Sequence, residues 1–426
     1  MASGRSERRP YITGALPHTS DGPPCRVPRR VNDGVDVREA CSFPPRMDRR
    51  WFLKALAATG AYELTPTLTR AEPAPGGEPQ LVQLSTRPAN YESVRSTFTT
   101  RITPTERFYI RCHHDTPVVD PRTWRLSLGG LVKTPLSLSL DDLSAMKQAS
   151  VEAVLQCAGN GRALFQPRMP GVQWRRGAMG NAVWRGVRLS DLLARAGVSP
   201  EAAMLQLTGA DRPAVAATPQ FIRGLPIAKG LHRDTIVALE MNGAPLTPLH
   251  GAPARLVVPG WVADGWMKWL TEINVQKEAP RGFFYETAYR YPVEPVAPGA
   301  AVPPEKMQPM AQLNVKSIIG SLDDGAVIAP GKQLVVGVAF AGEKGVRGVD
   351  VTVDGGKTWA PARLDPSPSP YGFTRFTYEW TAAPGSARVA SRATDRDGVV
   401  QPDVAAWNPS GYLYNAVDPI AVEVRA

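Results

Sequence analysis

Six prolines between positions 292 and 309 (Pro292, Pro295, Pro298, Pro303, Pro304 and Pro309) divide this 426-residue chain more sharply than any other feature. Proline fixes φ and lacks a backbone donor, so the stretch is predicted to sustain neither helix nor sheet ladder and to run as an extended linker. A domain boundary belongs there, at residues 301–312. Beyond Leu313 apolar residues recur at every second position: Leu334, Val336, Val338 and Phe340, then Val349, Val351 and Val353, then Phe376, Tyr378 and Trp380. Period two is the signal of a half-buried strand. Asp354-Gly355-Gly356 lies between two such runs, where a hairpin needs its turn. Several short strands at regular spacing predict a β-sandwich over 313–426.

Ahead of the prolines, strands and helices alternate. Val151–Gln156 and Leu256–Val258 read as strands leading into loops. Residues 189–196 place apolar side chains at i, i+3, i+4 and i+7, an amphipathic helix with Ser190 as its cap. The formal net charge of +10 is concentrated at one end: residues 1–71 hold 12 Lys+Arg against 7 Asp+Glu, which is +5. The remainder is only mildly basic and has no lysine tract, so a nucleic-acid partner is not indicated, while a small anionic substrate is compatible. Asp48-Arg49-Arg50-Trp51-Phe52-Leu53-Lys54 and the small residues that follow resemble a twin-arginine export signal over 47–71, with Met47 as a natural start. Residues 1–46 then read as a disordered extension or upstream translated sequence. Such export carries folded proteins to the periplasm. No run of eighteen apolar residues predicts a membrane span.

Chemistry is concentrated first in Val154-Leu155-Gln156-Cys157-Ala158-Gly159-Asn160-Gly161-Arg162. A strand delivers one thiol into a glycine-broken loop, and an arginine follows five residues later. A thiolate is a soft metal ligand, and the glycines let backbone approach a bulky group closely. On residue type alone, a buried cysteine closing a core strand is the simpler reading. The functional reading comes from the company Cys157 keeps: Arg111-Cys112-His113, in which alternation turns Arg111 and His113 to one side of an extended segment; Gly171-Val172-Gln173-Trp174; Gly177 to Val187; His250-Gly251-x-Pro253-x-Arg255 with Lys268; and Thr287-Ala288-Tyr289-Arg290.

In this order these motifs resemble the sulfite oxidase family of molybdenum enzymes, and among them bacterial periplasmic sulfite dehydrogenases. The resemblance runs along nearly all of 81–424; in the C-terminal part Asp354 to Trp359 and Gln401 to Asn408 carry it. It implies an α+β chain: a mixed α/β molybdopterin domain over 72–300, then an immunoglobulin-like β-sandwich through which the chain would form a homodimer. It implies molybdenum held by Cys157 and molybdopterin, Arg111 and Arg162 in the sulfite pocket with Trp174, His113 against the pterin, and His250, Arg255 and Lys268 gripping the pterin and its phosphate. Tyr289 takes the place of the active-site tyrosine, ahead of the neighbouring Tyr285 and Tyr291. Arg375 stands where the family offers a further pocket arginine, although a solvated arginine explains it as well. Pro170 replaces a lysine of animal and plant members.

The implied activity is oxidation of sulfite to sulfate. The sequence given has no Cys-x-x-Cys-His haem attachment, so an external c-type cytochrome is the implied acceptor. Two other readings stand beside it: the molybdenum subunit of a sulfane dehydrogenase, and a catalytically silent periplasmic binding protein on the same fold. A zinc hydrolase would need His-x-x-x-His or His-Glu-x-x-His spacing, and the histidines show neither. Cys112 and Cys157 would be the thiols of the exported chain, free to pair in an oxidising compartment.

Overall fold

Short β-branched and leucine-rich runs broken by glycine and proline build a strand-dominated molecule. A computed structural model describes residues 80–425 except Ala216; the extension 1–46 and the export-signal segment 47–71 lie outside them. The strand Gln148–Gln156 pairs antiparallel along its whole length with Met179–Arg188, which in turn pairs with Ile236–Met241. Residues 151–156 are all buried, the pattern of a strand covered on both faces. Their one carboxylate, Glu152, pairs with Arg101 and accepts from Asn181 Nδ2 at 2.8 Å. This strand ends at Gln156 and hands Cys157 to the loop beyond it.

A second sheet runs in the order Leu136–Leu138, Leu126–Gly130, Leu270–Gln276, Met204–Gly209, Ile222–Pro226, with one parallel pair, Leu126–Gly130 on Leu270–Gln276. The helix Leu189–Ala196 forms as its periodicity requires and buries Leu189, Leu192, Leu193 and Ala196. Its cap differs from the sequence expectation. Arg188, the last residue of the preceding strand, is the N-cap and makes no side-chain cap bond. The Leu189 N–H instead donates to the Thr235 carbonyl at 2.9 Å, so a tertiary bond does the work that Ser190 was expected to do.

The proline-rich stretch is also more ordered than a linker. Arg290–Pro292 and Met307–Pro309 form an antiparallel pair in which Arg290 faces Pro309 and Pro292 faces Met307. A two-stranded ribbon is all edge, where a missing donor is tolerated. The other four prolines fall between the two strands. After it come a four-stranded sheet, Lys316–Ile319, Gly331–Phe340, Thr374–Ala382, Arg363–Leu364, and a five-stranded one, Ala326–Ile328, Ile420–Val424, Gly385–Asp395, Val346–Thr352, Ala360–Pro361. Val335, Ala339, Val349, Val351, Phe376, Val389 and Ile420 fill one core here. On Gly331–Phe340 the alternation had marked Leu334, Val336, Val338 and Phe340 as the inward face. The structure turns Val335 and Ala339 to that core, sends Val338 and Phe340 into the core of the N-terminal part, and leaves Leu334 exposed. A strand packed on both faces carries apolar residues on both, so period alone does not say which face meets which core.

Gly186 shows how tightly the central sheet is closed: a Cβ there would lie 2.0 Å from the Val237 carbonyl oxygen. Gly186→Ala is expected to destabilise the protein by at least ~3 kcal/mol in chemical denaturation, whereas Gly129→Ala, with nothing within 4 Å of the added carbon, stays within about 1 kcal/mol. Equal effects at both positions would contradict the packing described.

Candidate active site

A cavity opens where five segments meet, and Arg111, His113, Cys157, His250, Arg255, Lys268 and Tyr289 all line it. Seven of the nine residues singled out in the sequence thus converge on one space. Arg111 closes the short strand Ile110–Arg111, opposite Asn90, whose Oδ1 accepts from Arg111 Nη1 and the Cys112 N–H at 3.3 Å each. His113 follows on the same side and is hydrogen bonded through Nε2 to the Tyr289 hydroxyl, with Phe221 stacked on its ring at 3.9 Å.

Cys157 is buried, and its N–H donates to the Ala178 carbonyl at 2.9 Å. Burial pushes its thiol pKa up, while the charges of Arg111 and Arg162 pull it down. Among the described residues no three His, Cys, Asp or Glu side chains form a metal-holding cluster; Cys157 is the soft donor this wall offers. Both Cys112 and Cys157 are free thiols. Cys112 Sγ instead lies 3.1 Å from Lys268 Nζ.

Much of the lining is cationic. Arg255, buried, donates to the His250 and Trp266 carbonyls at 3.0 and 3.2 Å, and its guanidinium lies 5.0 Å from the Trp184 ring centre. Burial lowers its pKa to about 10. Lys268 is half-buried, donates to the Leu249 carbonyl at 2.9 Å and sits 4.0 Å over Trp269; desolvation lowers its pKa. His250 is pushed down to about 3 by burial, then by Lys268 and Arg255. Its Nδ1 meets Thr247 Oγ1 at 2.8 Å and its Nε2 the Phe108 carbonyl at 3.4 Å; a carbonyl only accepts, so the proton is on Nε2.

Two expected residues stand back from the cavity. Trp174 is fully buried and meets Tyr109 edge-on at 6.3 Å, behind the wall rather than in it. Arg162 is buried too, but its Nε and Nη1 donate to the carbonyls of Ser410 and Val172 at 2.9 and 3.2 Å. It reaches Cys157 through its charge. Arg375 bonds the Thr99 carbonyl and Asp365, both at 2.8 Å, and is neither in the cavity nor simply solvated. Conversely, the sequence reading passed over Asp211, which lines the cavity just after the strand Met204–Gly209, and the buried pair Arg223–Asp264. A carboxylate two residues beyond a strand-ending glycine was the available signal for Asp211; Arg223 and Asp264, 41 residues apart, offered none.

The residues present suit an anionic, hydrogen-bonding organic cofactor. Asp211 Oδ1 and Arg255 Nε are buried without a hydrogen-bond partner, and such atoms call for a ligand or water. Strain points to the same place. Of the described non-glycine residues with positive φ, Trp269 (48°) and Tyr289 (55°) line the cavity. Each left-handed residue costs roughly 1–3 kcal/mol and persists where its surroundings hold it.

Comparison with known proteins agrees. Residues 113–284 match the oxidoreductase molybdopterin binding domain, and residues 307–425 the Mo-co oxidoreductase dimerisation domain. The chain is 33% identical to mitochondrial sulfite oxidase of Mus musculus over 384 residues, 85% of this chain and 69% of that protein. It is 30% identical to sulfite oxidase of Arabidopsis thaliana over 365 residues, 80% of this chain and 93% of that protein. The sulfane dehydrogenase SoxCD of Paracoccus pantotrophus superposes with a TM-score of 0.69 at 27% identity, over 85% of this chain and 95% of that one.

A neutral buried His250 makes stability depend on pH with a definite sign. Its folded value of about 3 lies below the ordinary 6.5, so as pH falls the unfolded chain takes up the proton first. The contribution is complete above pH 6.5 and is lost progressively down toward pH 3. Between pH 7.5 and 5 the unaltered protein is expected to lose about 2 kcal/mol more than His250→Gln in denaturant titrations. Parallel losses would show that His250 is not held neutral.

Proposed function

Starting from the fact that this chain belongs to the sulfite oxidase family of molybdenum enzymes, we propose that it oxidises sulfite to sulfate at the cavity bounded by Cys157 and Arg111. One observation carries this reading: a buried soft thiol and the cationic side chains of Arg111, Arg255 and Lys268 line one space. Cys157 would hold the metal, and Asp211, His250, Arg255 and Lys268 the molybdopterin. When bound, that cofactor supplies the two-electron oxidation of sulfur and the transfer of an oxygen that comes from water.

The protein's own part is positioning and charge. Arg111 presents a guanidinium fork that matches an oxyanion. Tyr289 is kept a phenol, because burial pushes its pKa up, and so remains a donor. Sulfate formation from sulfite and water releases two protons. His113, whose pKa burial holds well below the ordinary value, is a neutral imidazole whose ring can take one. Arg162 acts at a distance, its charge favouring the Cys157 thiolate.

The electrons leave to a separate c-type cytochrome, the acceptor that the resemblance to periplasmic sulfite dehydrogenases implies. The match to the dimerisation domain supports a homodimer, the two packed C-terminal sheets support an immunoglobulin-like sandwich following the molybdopterin domain, and the twin-arginine-like residues 48–54 support a periplasmic location. A second reading, action on sulfane sulfur, has the structural likeness to SoxCD behind it.

Protein purified with its cofactor is expected to show no haem absorption and to reduce added cytochrome c when given sulfite, at a rate that changes with ionic strength. Arg111→Gln should raise the KM for sulfite roughly ten- to a hundredfold, the loss of one charge-assisted contact of about 1.5–3 kcal/mol. Inertness toward free sulfite alongside turnover of thiol-borne sulfane sulfur would favour the second reading and defeat the first.

A further inference from the structure

We propose that Tyr412, on a loop that follows the last long strand of the C-terminal part, is a positioning residue for the site, holding Tyr289 and Arg162 in place together. Its ring lies parallel to that of Tyr289, 4° between planes and 5.5 Å between centres. The Arg162 guanidinium carbon stands 5.2 Å from the centre of the same ring, within the range of a cation–π contact. Tyr289 has φ 55°, a conformation a tyrosine keeps only where its surroundings enforce it. Tyr412 supplies one of those restraints, on the ring.

The loop is built to hold this post. Asn408 brackets Tyr412, accepting from its N–H and donating to its carbonyl at 2.9 Å each. The next residue, Leu413, is itself left-handed at φ 56°, and its N–H donates to the carbonyl of Ala158, adjacent to Cys157, at 2.9 Å. Ser410 gives its carbonyl to Arg162 Nε. Gly161 and Gly411 admit the close approach: a Cβ on the first would lie 2.5 Å from Tyr414 and on the second 2.9 Å from Arg162. Lys316 anchors the far end through the Tyr414 carbonyl at 3.0 Å. One short segment thus touches the thiol loop, the arginine and the tyrosine.

The inference rests on the proposed sulfite chemistry only for its kinetic arm. Holoenzyme carrying Tyr412→Leu loses ring and hydroxyl; holoenzyme carrying Tyr412→Phe loses the hydroxyl alone. With molybdenum content unchanged, Tyr412→Leu is expected to lower kcat/KM for sulfite roughly tenfold, the scale of an aromatic stack and its cation partner, and to shift the alkaline limb of the kcat–pH profile as Tyr289 becomes less enclosed. Tyr412→Phe should recover most of the loss and restore the limb. A crystal structure of Tyr412→Leu should show Tyr289 displaced from its left-handed conformation. Tyr289 unmoved in that structure, or unchanged kinetics at full molybdenum loading, would overturn the proposal. If the unaltered enzyme does not oxidise sulfite, the functional reading fails while the crystallographic arm still decides this one.

Discussion

The cavity wall puts Arg111, Arg255 and Lys268 around one space with one uncommitted carboxylate, Asp211, because Asp264 is taken up by Arg223. Burying a charge costs several kcal/mol unless it is paired. Backbone carbonyls of Leu249, His250 and Trp266 satisfy donors of Arg255 and Lys268, yet a carbonyl does not neutralise. The charge that would complete this wall is negative, and the cofactor phosphate and an oxyanion substrate both bring it. The neutral state of His250 follows from its own burial and from the same crowding, since a further proton would join the charges of Lys268 and Arg255.

Rigid strands hold this arrangement. Gln148–Gln156 and Met179–Arg188 fix where Cys157 leaves the sheet, and Leu270–Gln276, begun just after Trp269, fixes Lys268. Between these anchors the backbone adopts conformations that ordinary residues avoid, at Trp269, at Tyr289 and at Leu413. The C-terminal part reaches the site through the loop bearing Leu413 and Tyr412, so the two sheets there bear on the geometry around the thiol as well as on their own core.

How much of this was legible in sequence depended on whether a feature is local. Cys157 at a strand end, Arg111 and His113 two apart on an extended segment, and His250, Arg255 and Lys268 near one another were visible because residue type and short spacing carry them. Arg162 and Trp174 were visible as types but misplaced: the Ser410 carbonyl that captures Arg162 lies 248 residues away, and Trp174 is drawn inward by its size. The Ser190 cap was displaced by Thr235, and the inward face of Gly331–Phe340 was decided by a second core on its other side. The proline ladder stood because a ribbon forgives missing donors. Each of these outcomes is set by long-range contact, which no local pattern encodes.

The proposed role of Cys157 as the protein's own ligand to molybdenum is the one on which the site turns. X-ray absorption at the molybdenum edge, measured on the unaltered protein and on metal-loaded Cys157→Ser, reads that bond without recourse to turnover. The expected result is one fewer sulfur neighbour in the variant. An identical sulfur shell in both proteins would contradict the account.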